Sequence, residues 1–210
     1  MKKTPSVHRL SIIAVMGIIL LSGCLGRSPS TRFYALTPMP QGQATSLTEI
    51  PGRNPSVGIG PVKLADYLDQ SKLVTRTGEN RVDVADYDQW AGSLEDNFSN
   101  VLAENIGLLL PTDQIHIFPW RSSVPIDFQV LVDVFRFDGR LGEEAQLVVR
   151  WSVFEGRENK LLSVNRSSIR EPVQGPDYTA LVAAESRALA KLSQEIVAAI
   201  HAAGRKQPGT

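Results

Sequence analysis

The chain has 210 residues, 22 Lys and Arg against 22 Asp and Glu, and a single cysteine. That length holds a sizeable core and favours one domain. The charge balance argues against nucleic acid as a partner, and one cysteine excludes a disulfide framework or a multi-thiolate metal site.

Lys2, Lys3 and Arg9 precede an apolar run from Leu10 to Leu21 broken only by Ser11 and Gly17. A basic start before a short apolar run has the layout of a secretory signal, and the run is too short for a comfortable permanent span. It ends in Leu21-Ser22-Gly23-Cys24, which resembles the lipobox of bacterial lipoproteins. The resemblance implies cleavage after Gly23, a diacylglyceryl group on the Cys24 thiol and acylation of the new amino terminus. One acyl chain anchors only reversibly, so two or three on Cys24 make the stable anchor. Cleavage would leave 187 residues with 19 basic against 22 acidic side chains, because the leader carries three cations and no acid. Leu25, where an Asp would favour inner-membrane retention in the enteric sorting scheme, points to the outer membrane. The expected organisation is a signal over 1–23, a lipidated tether over 24–31, a domain over 32–204 and a disordered tail over 205–210.

The tether is small and polar, and fully extended it reaches about 20 to 25 Å. Arg32 to Thr37 is a strand candidate, and the proline- and glycine-rich stretch from Pro38 to Pro55 is a loop. Ser56 to Val62 reads as a strand closely approached by another backbone at Gly58 and Gly60. Lys72 to Thr77 and Arg81 to Ala85 form a hairpin around Gly78-Glu79-Asn80. Asp86 or Asp88 is the expected cap of a helix whose stripe is Trp90, Leu94, Phe98, Val101, Leu102, Ile106 and Leu109. Ile115 to Trp120 is a short apolar strand. Residues 128–134, 145–153 and 160–169 alternate in period two and predict an antiparallel meander with one wet face. Asp177 caps a last helix with a stripe through Tyr178, Leu181, Val182, Leu189, Leu192, Ile196 and Ile200, and Gly204 is its expected stop. The fold class is α+β in two layers, a mostly antiparallel sheet with two long amphipathic helices on one face.

Catalytic signals are sparse. His116 lies in an apolar strand and His201 near the end, so no Ser-His-Asp or zinc constellation converges. Ser93 lacks the second glycine of a nucleophile elbow. Asp83, Asp86 and Asp88 lack the glycine and distal glutamate of a calcium loop. Arg140 and Arg150 are the arginines that a wet sheet face would offer to an anionic headgroup, each isolated in sequence. Trp120, beside Pro119 and a serine-rich loop, is the tryptophan expected to have a surface role. No cofactor, metal or catalytic residue is expected, and the chain is read as a non-enzyme.

Several short motifs then line up: Val57-Gly-Ile-Gly-Pro-Val62, Asp66-Tyr67-Leu68, Trp90-Ala91 with Leu94, Val101-Leu-Ala-Glu-Asn105, Asp133 with Phe137-Asp138-Gly139, and Asp177-Tyr178 with Leu181-Val-Ala-Ala184. Together they resemble the ABC-type transport auxiliary lipoproteins of the PqiC/YmbA type, over about residues 32–200. The pattern is departed from at Ala65, where proline is frequent, and at Gln89, where a basic residue is frequent. The resemblance implies an outer-membrane lipoprotein facing the periplasm that works with an MCE-domain protein and inner-membrane transport components in lipid movement and envelope integrity. A homo-oligomer is compatible with it. The rival readings are a lipid-binding carrier, which needs a deep apolar cavity, and an envelope hydrolase, which needs a catalytic constellation. The candidate partner contact is Asp66, Tyr67 and Leu68, an apolar pair rimmed by charge, together with Trp120.

Overall fold

The computed structural model describes residues 29–43, 54–110 and 112–206. The leader, Cys24, most of the expected tether and the middle of the Pro38–Pro55 loop lie outside them. In chain order the elements are β1 (Arg32–Tyr34), β2 (Val57–Leu64), β3 (Lys72–Arg76), β4 (Val82–Trp90), α1 (Leu94–Leu109), β5 (Ile115–Ile117), β6 (Phe128–Gly139), β7 (Glu144–Glu155), β8 (Lys160–Pro172) and α2 (Tyr178–Lys206).

Strand β6 is the axis of an eight-stranded mixed sheet. Its Phe128, Val130, Val132 and Val134 are buried toward the helices, while Leu131, Asp133 and Phe135 turn to the other face. On one edge it pairs with antiparallel β7, which pairs in turn with antiparallel β8. On the other edge its first half takes parallel β2 and then β5, and its end meets β3, which leads to β4 and β1. The two-layer α+β arrangement is the expected one. The β6–β7–β8 meander and the β3–β4 hairpin are the antiparallel parts; β1–β4, β2–β5, β2–β6 and β3–β6 are parallel. Nothing in hydrophobic period announces those parallel pairs, since they join segments distant in the chain.

Both helices lie on the face where the sheet is apolar, α1 against β2 and β5, α2 against β6, β7 and β8, and each against the other. Phe98, Leu102 and Ile106 of α1 and Leu189, Leu192, Ile196 and Ile200 of α2 have no exposed surface. Phe98 meets Phe137 of β6 edge to face, with ring centroids 5.4 Å apart, a favoured aromatic geometry. The segment after β1 is fastened into this layer by side chains: Asn97 and Asn105 Oδ1 accept from the backbone N–H of Leu36 and Met39 at 2.9 and 2.8 Å. Asn105, fully buried, also donates to Ser193 Oγ at 3.2 Å, which ties α1 to α2.

Three boundaries differ from expectation. Asp86 and Asp88 do not cap α1, because β4 continues through them to Trp90 in parallel register with β1. Ser93 is the cap instead, its Oγ accepting from the Asp96 N–H at 3.3 Å, so Trp90 is buried from the strand rather than from the helix stripe. Gly204 does not stop α2, which runs on to Lys206; its N-terminal cap is the expected Asp177, whose Oδ1 accepts from the Ala180 N–H at 2.8 Å.

Candidate functional site

The segment between β2 and β3 makes one 3-10 turn, Asp66–Leu68, closed by the Leu68 N–H donating to the Ala65 carbonyl at 2.8 Å. That turn decides where the expected contact residues go. Leu68 points into the core with 2% of its surface exposed. Tyr67 reaches Asp138 near the end of β6 and donates its hydroxyl to Oδ2 at 2.8 Å. Arg76 Nη2 donates to the same oxygen at 2.9 Å and Arg136 Nε to Oδ1 at 2.8 Å. The Asp138 side chain has no exposed surface. Burial alone would push its carboxyl up; the hydrogen bonds from Arg76, Arg136 and Tyr67 outweigh that and hold it below the usual carboxylate range. Burial, and then the bond to Asp138, push the Tyr67 hydroxyl up. The expected apolar contact at Tyr67 and Leu68 is therefore not displayed: one residue is core, the other caps a buried acid, and of the three only Asp66 is exposed.

Trp120 follows the edge strand β5 and folds back over β2. Its ring occupies the space above Gly58, where an added Cβ would come within 2.8 Å of it. At Gly60, with φ of +114°, an added Cβ would meet the Phe118 Cβ at 2.8 Å. The two glycines are closely approached, as their placement in a strand predicts, but by side chains and not by another backbone. Phe118 and Trp120 stack edge to face at 5.6 Å. Trp120 is half-buried, while Phe118 and Ile117 remain 52% and 37% exposed. The loop thus keeps an apolar rim at the sheet edge.

Three other acids, Asp88, Glu171 and Glu195, are structural partners. Asp88 accepts from Arg32 Nε at 2.7 Å and from the Tyr34 hydroxyl at 2.6 Å, fixing β1 to β4. Glu171 takes Arg187 and Lys191 of α2. Ser167 donates to Glu195 and accepts from Trp151 Nε1, joining β8, β7 and α2. Glu185 differs: it is buried, its Oε2 has no partner, and burial followed by the charge of Asp138 pushes its carboxyl well above the ordinary range. His116 sits on β5 opposite Gly58. Among the described residues no group of three or more His, Cys, Asp or Glu is placed to hold a metal, and no helix is long and apolar enough to cross a membrane.

Sequence reasoning named Asp138 only within the Phe137-Asp138-Gly139 motif, with no role, and passed over Glu185. Asp138 carried a weak signal, a carboxylate inside an apolar strand beside Phe137. Glu185 interrupts an otherwise apolar and small-residue helix face between Leu181 and Leu189.

These features define the class, an α+β two-layer domain in which polar clusters clamp the layers together. The chain belongs to the ABC-type transport auxiliary lipoprotein component family, whose model matches residues 34–197. Two solved structures share the fold. One, an uncharacterized protein, is 19% identical with a TM-score of 0.67, covering 82% of this chain and 99% of its own. A Xanthomonas campestris protein of the DUF330 family is 16% identical with a TM-score of 0.64, covering 83% and 98%. No curated protein matches the sequence significantly.

Proposed function

We propose that this chain is the outer-membrane-anchored, periplasm-facing auxiliary lipoprotein of an MCE-type intermembrane lipid transport system, acting by docking to an MCE-domain partner and not by catalysis. The family match across residues 34–197 carries the reading. The leader and Leu21-Ser22-Gly23-Cys24 support the anchor. The short tether supports dependence on a second component, because a globule held within about 25 Å of its membrane does not bridge a periplasm by itself.

Packing favours docking over a carrier role. An acyl chain carried by this fold would lie between sheet and helices, and that space is filled by Phe98, Leu102, Ile106, Leu189, Leu192 and Ile196, all without exposed surface. The chemistry of the acids favours docking over hydrolysis: Asp138, Asp88 and Glu171 are each held by cations or hydroxyls that lower their basicity.

The test is co-purification of the lipidated protein with MCE-domain proteins from membranes, alongside sucrose-gradient separation of inner and outer membranes. Recovery of an MCE protein with the outer-membrane fraction is expected. A wild-type protein that captures no MCE-domain protein, or that sediments with the inner membrane, would overturn the corresponding part of the reading.

A further inference from the structure

Both helices pack on one face of the sheet, and the strand registers place one charged row across the other. Lys63 of β2 lies opposite Asp133 of β6. Asp133 lies opposite Arg150 of β7, and Arg150 opposite Arg166 of β8. Arg150 Nη2 bonds Asp133 Oδ2 at 2.8 Å. Lys63 and Arg166 are exposed and have no acidic partner among the described residues. Arg150 and Arg166 are thus like charges directly opposed on neighbouring strands, an arrangement that disfavours the sheet, and Asp133 compensates Arg150 alone. The whole chain is charge-balanced, so the surplus of cations is local.

An apolar feature crosses the same row. Phe135 follows Leu131 and Asp133 on the outward phase of β6, at the register shift between Val134 and Arg136, and is 46% exposed. The Arg150 and Arg166 guanidiniums lie 5.7 and 5.8 Å from the centre of its ring. Beside it a groove of about 580 Å³ is lined by Pro61, Leu131, Phe154 and Val164, with Lys63 and Arg150 along it. An exposed aromatic held between arginines over an apolar groove has the composition of a binding hot spot.

We infer that this open face docks an acidic, extended polypeptide segment of a protein partner, with carboxylates over Arg150, Arg166 and Lys63 and an apolar side chain in the groove. The inference rests on the docking reading above and names the surface and the chemistry that it leaves open. The charge pattern selects a protein over an anionic bilayer. Asp133 sits inside the row, so the row reads plus, minus, plus, plus; a patterned partner fits that order, whereas a uniformly negative surface is opposed at its second position.

The test uses the mature lipoprotein in detergent and a fluorescein-labelled acidic peptide in which Glu, Lys, Glu and Glu, the complement of the row, alternate with Leu and Val, against a counterpart with those four charges inverted. Anisotropy is expected to give at least about tenfold tighter binding of the acidic peptide, weakening with salt as screening predicts. Arg150→Glu with Arg166→Glu is expected to abolish the preference, and Phe135→Ser to weaken the acidic peptide about tenfold, with melting temperature showing that each variant folds. Equal binding of the two peptides, or an acidic preference that survives the double reversal, overturns the inference. So does arginine-dependent binding of phosphatidylglycerol vesicles with neither peptide bound. Capture of an MCE-domain protein is measured in parallel: wild-type capture that persists in the double reversal overturns the surface and leaves the docking reading standing. Charge-dependent peptide binding without any MCE capture does the opposite.

Discussion

Tyr67 and Asp138, 71 residues apart, are joined by a 2.8 Å hydrogen bond that closes the β2–β3 connection over the end of β6. The acceptor is a buried, ionised carboxylate, and a hydrogen bond to a charged group contributes about 1.5 to 3 kcal/mol. Tyr67→Phe is expected to lower stability by roughly 1 to 2 kcal/mol, since Arg76 and Arg136 still hold the acid, and to leave partner capture unchanged. Denaturant titration and a pull-down check the two halves separately; intact stability with lost capture would return Tyr67 to the role of a surface contact.

Asp138 also sets an acid limb. Its carboxyl is held below its ordinary value of 3.8, so it contributes stability that is present above that value and is lost as pH falls toward its lowered folded value. Asp138→Asn is expected to destabilise the protein at neutral pH, with the difference from wild type shrinking below about pH 4. A difference that stays constant down to acid denaturation would mean that the two arginines do not stabilise the charged form.

Glu185 acts with the opposite sign. Its carboxyl is pushed well above 4.5 by burial and by Asp138, so the folded state holds that proton more tightly and stability falls as pH rises from the unfolded value toward the folded one. Glu185→Gln keeps the shape and removes the ionisation. Melting is expected to be unchanged near pH 4 and to rise in the variant at neutral pH by a few degrees, taking about 2 to 4 °C per kcal/mol for a domain of this size. An unaltered pH profile would show that the buried oxygen is satisfied in solution.

How far the sequence discloses this fold depends on the separation of the partners. The β6–β7–β8 meander and both apolar helix stripes follow from period two and period 3.6, because each is set by neighbours in the chain. Asp86, Asp88 and Trp90 mislead for the same reason: a local reading sees caps before a stripe, while the register is set by β1, more than fifty residues upstream. The surroundings of Tyr67 and Leu68 are hidden similarly, since a loop position says nothing of Asp138 waiting across the sheet. Lys63, Asp133, Arg150 and Arg166 each occupy a polar phase of a strand and look like ordinary wet-face residues. Only strand order brings them into one row.

Gly58 is expected to report on the aromatic edge. Gly58→Ala places a Cβ 2.8 Å from the Trp120 ring, so the ring must swing outward, with a cost of about 1 to 3 kcal/mol, the range for overpacking. A red shift in tryptophan fluorescence should accompany it, and Trp120→Ala should remove most of the penalty in a double-mutant cycle. Additive losses would show that the two sites do not meet.

Anchoring is the property on which the proposed location depends, and it rests on Cys24. A basic start, an apolar run and Leu21-Ser22-Gly23-Cys24 place one thiol, the sole cysteine of the chain, where a lipobox requires it. Each acyl chain buries enough methylene groups, at about 0.8 kcal/mol each, that two hold the protein on a bilayer where one does not. Cys24→Ala is expected to abolish incorporation of labelled palmitate and to leave uncleaved precursor or a form lost from the outer membrane. The domain should still fold, because its core begins beyond the tether at Leu36. Phe98→Ala supplies the contrast: with a fully buried ring removed, it should lose about 3 to 5 kcal/mol of stability while keeping its palmitate. Outer-membrane fractionation of the Cys24→Ala protein identical to wild type would remove the anchor, and with it the argument that a short tether makes this protein depend on a partner.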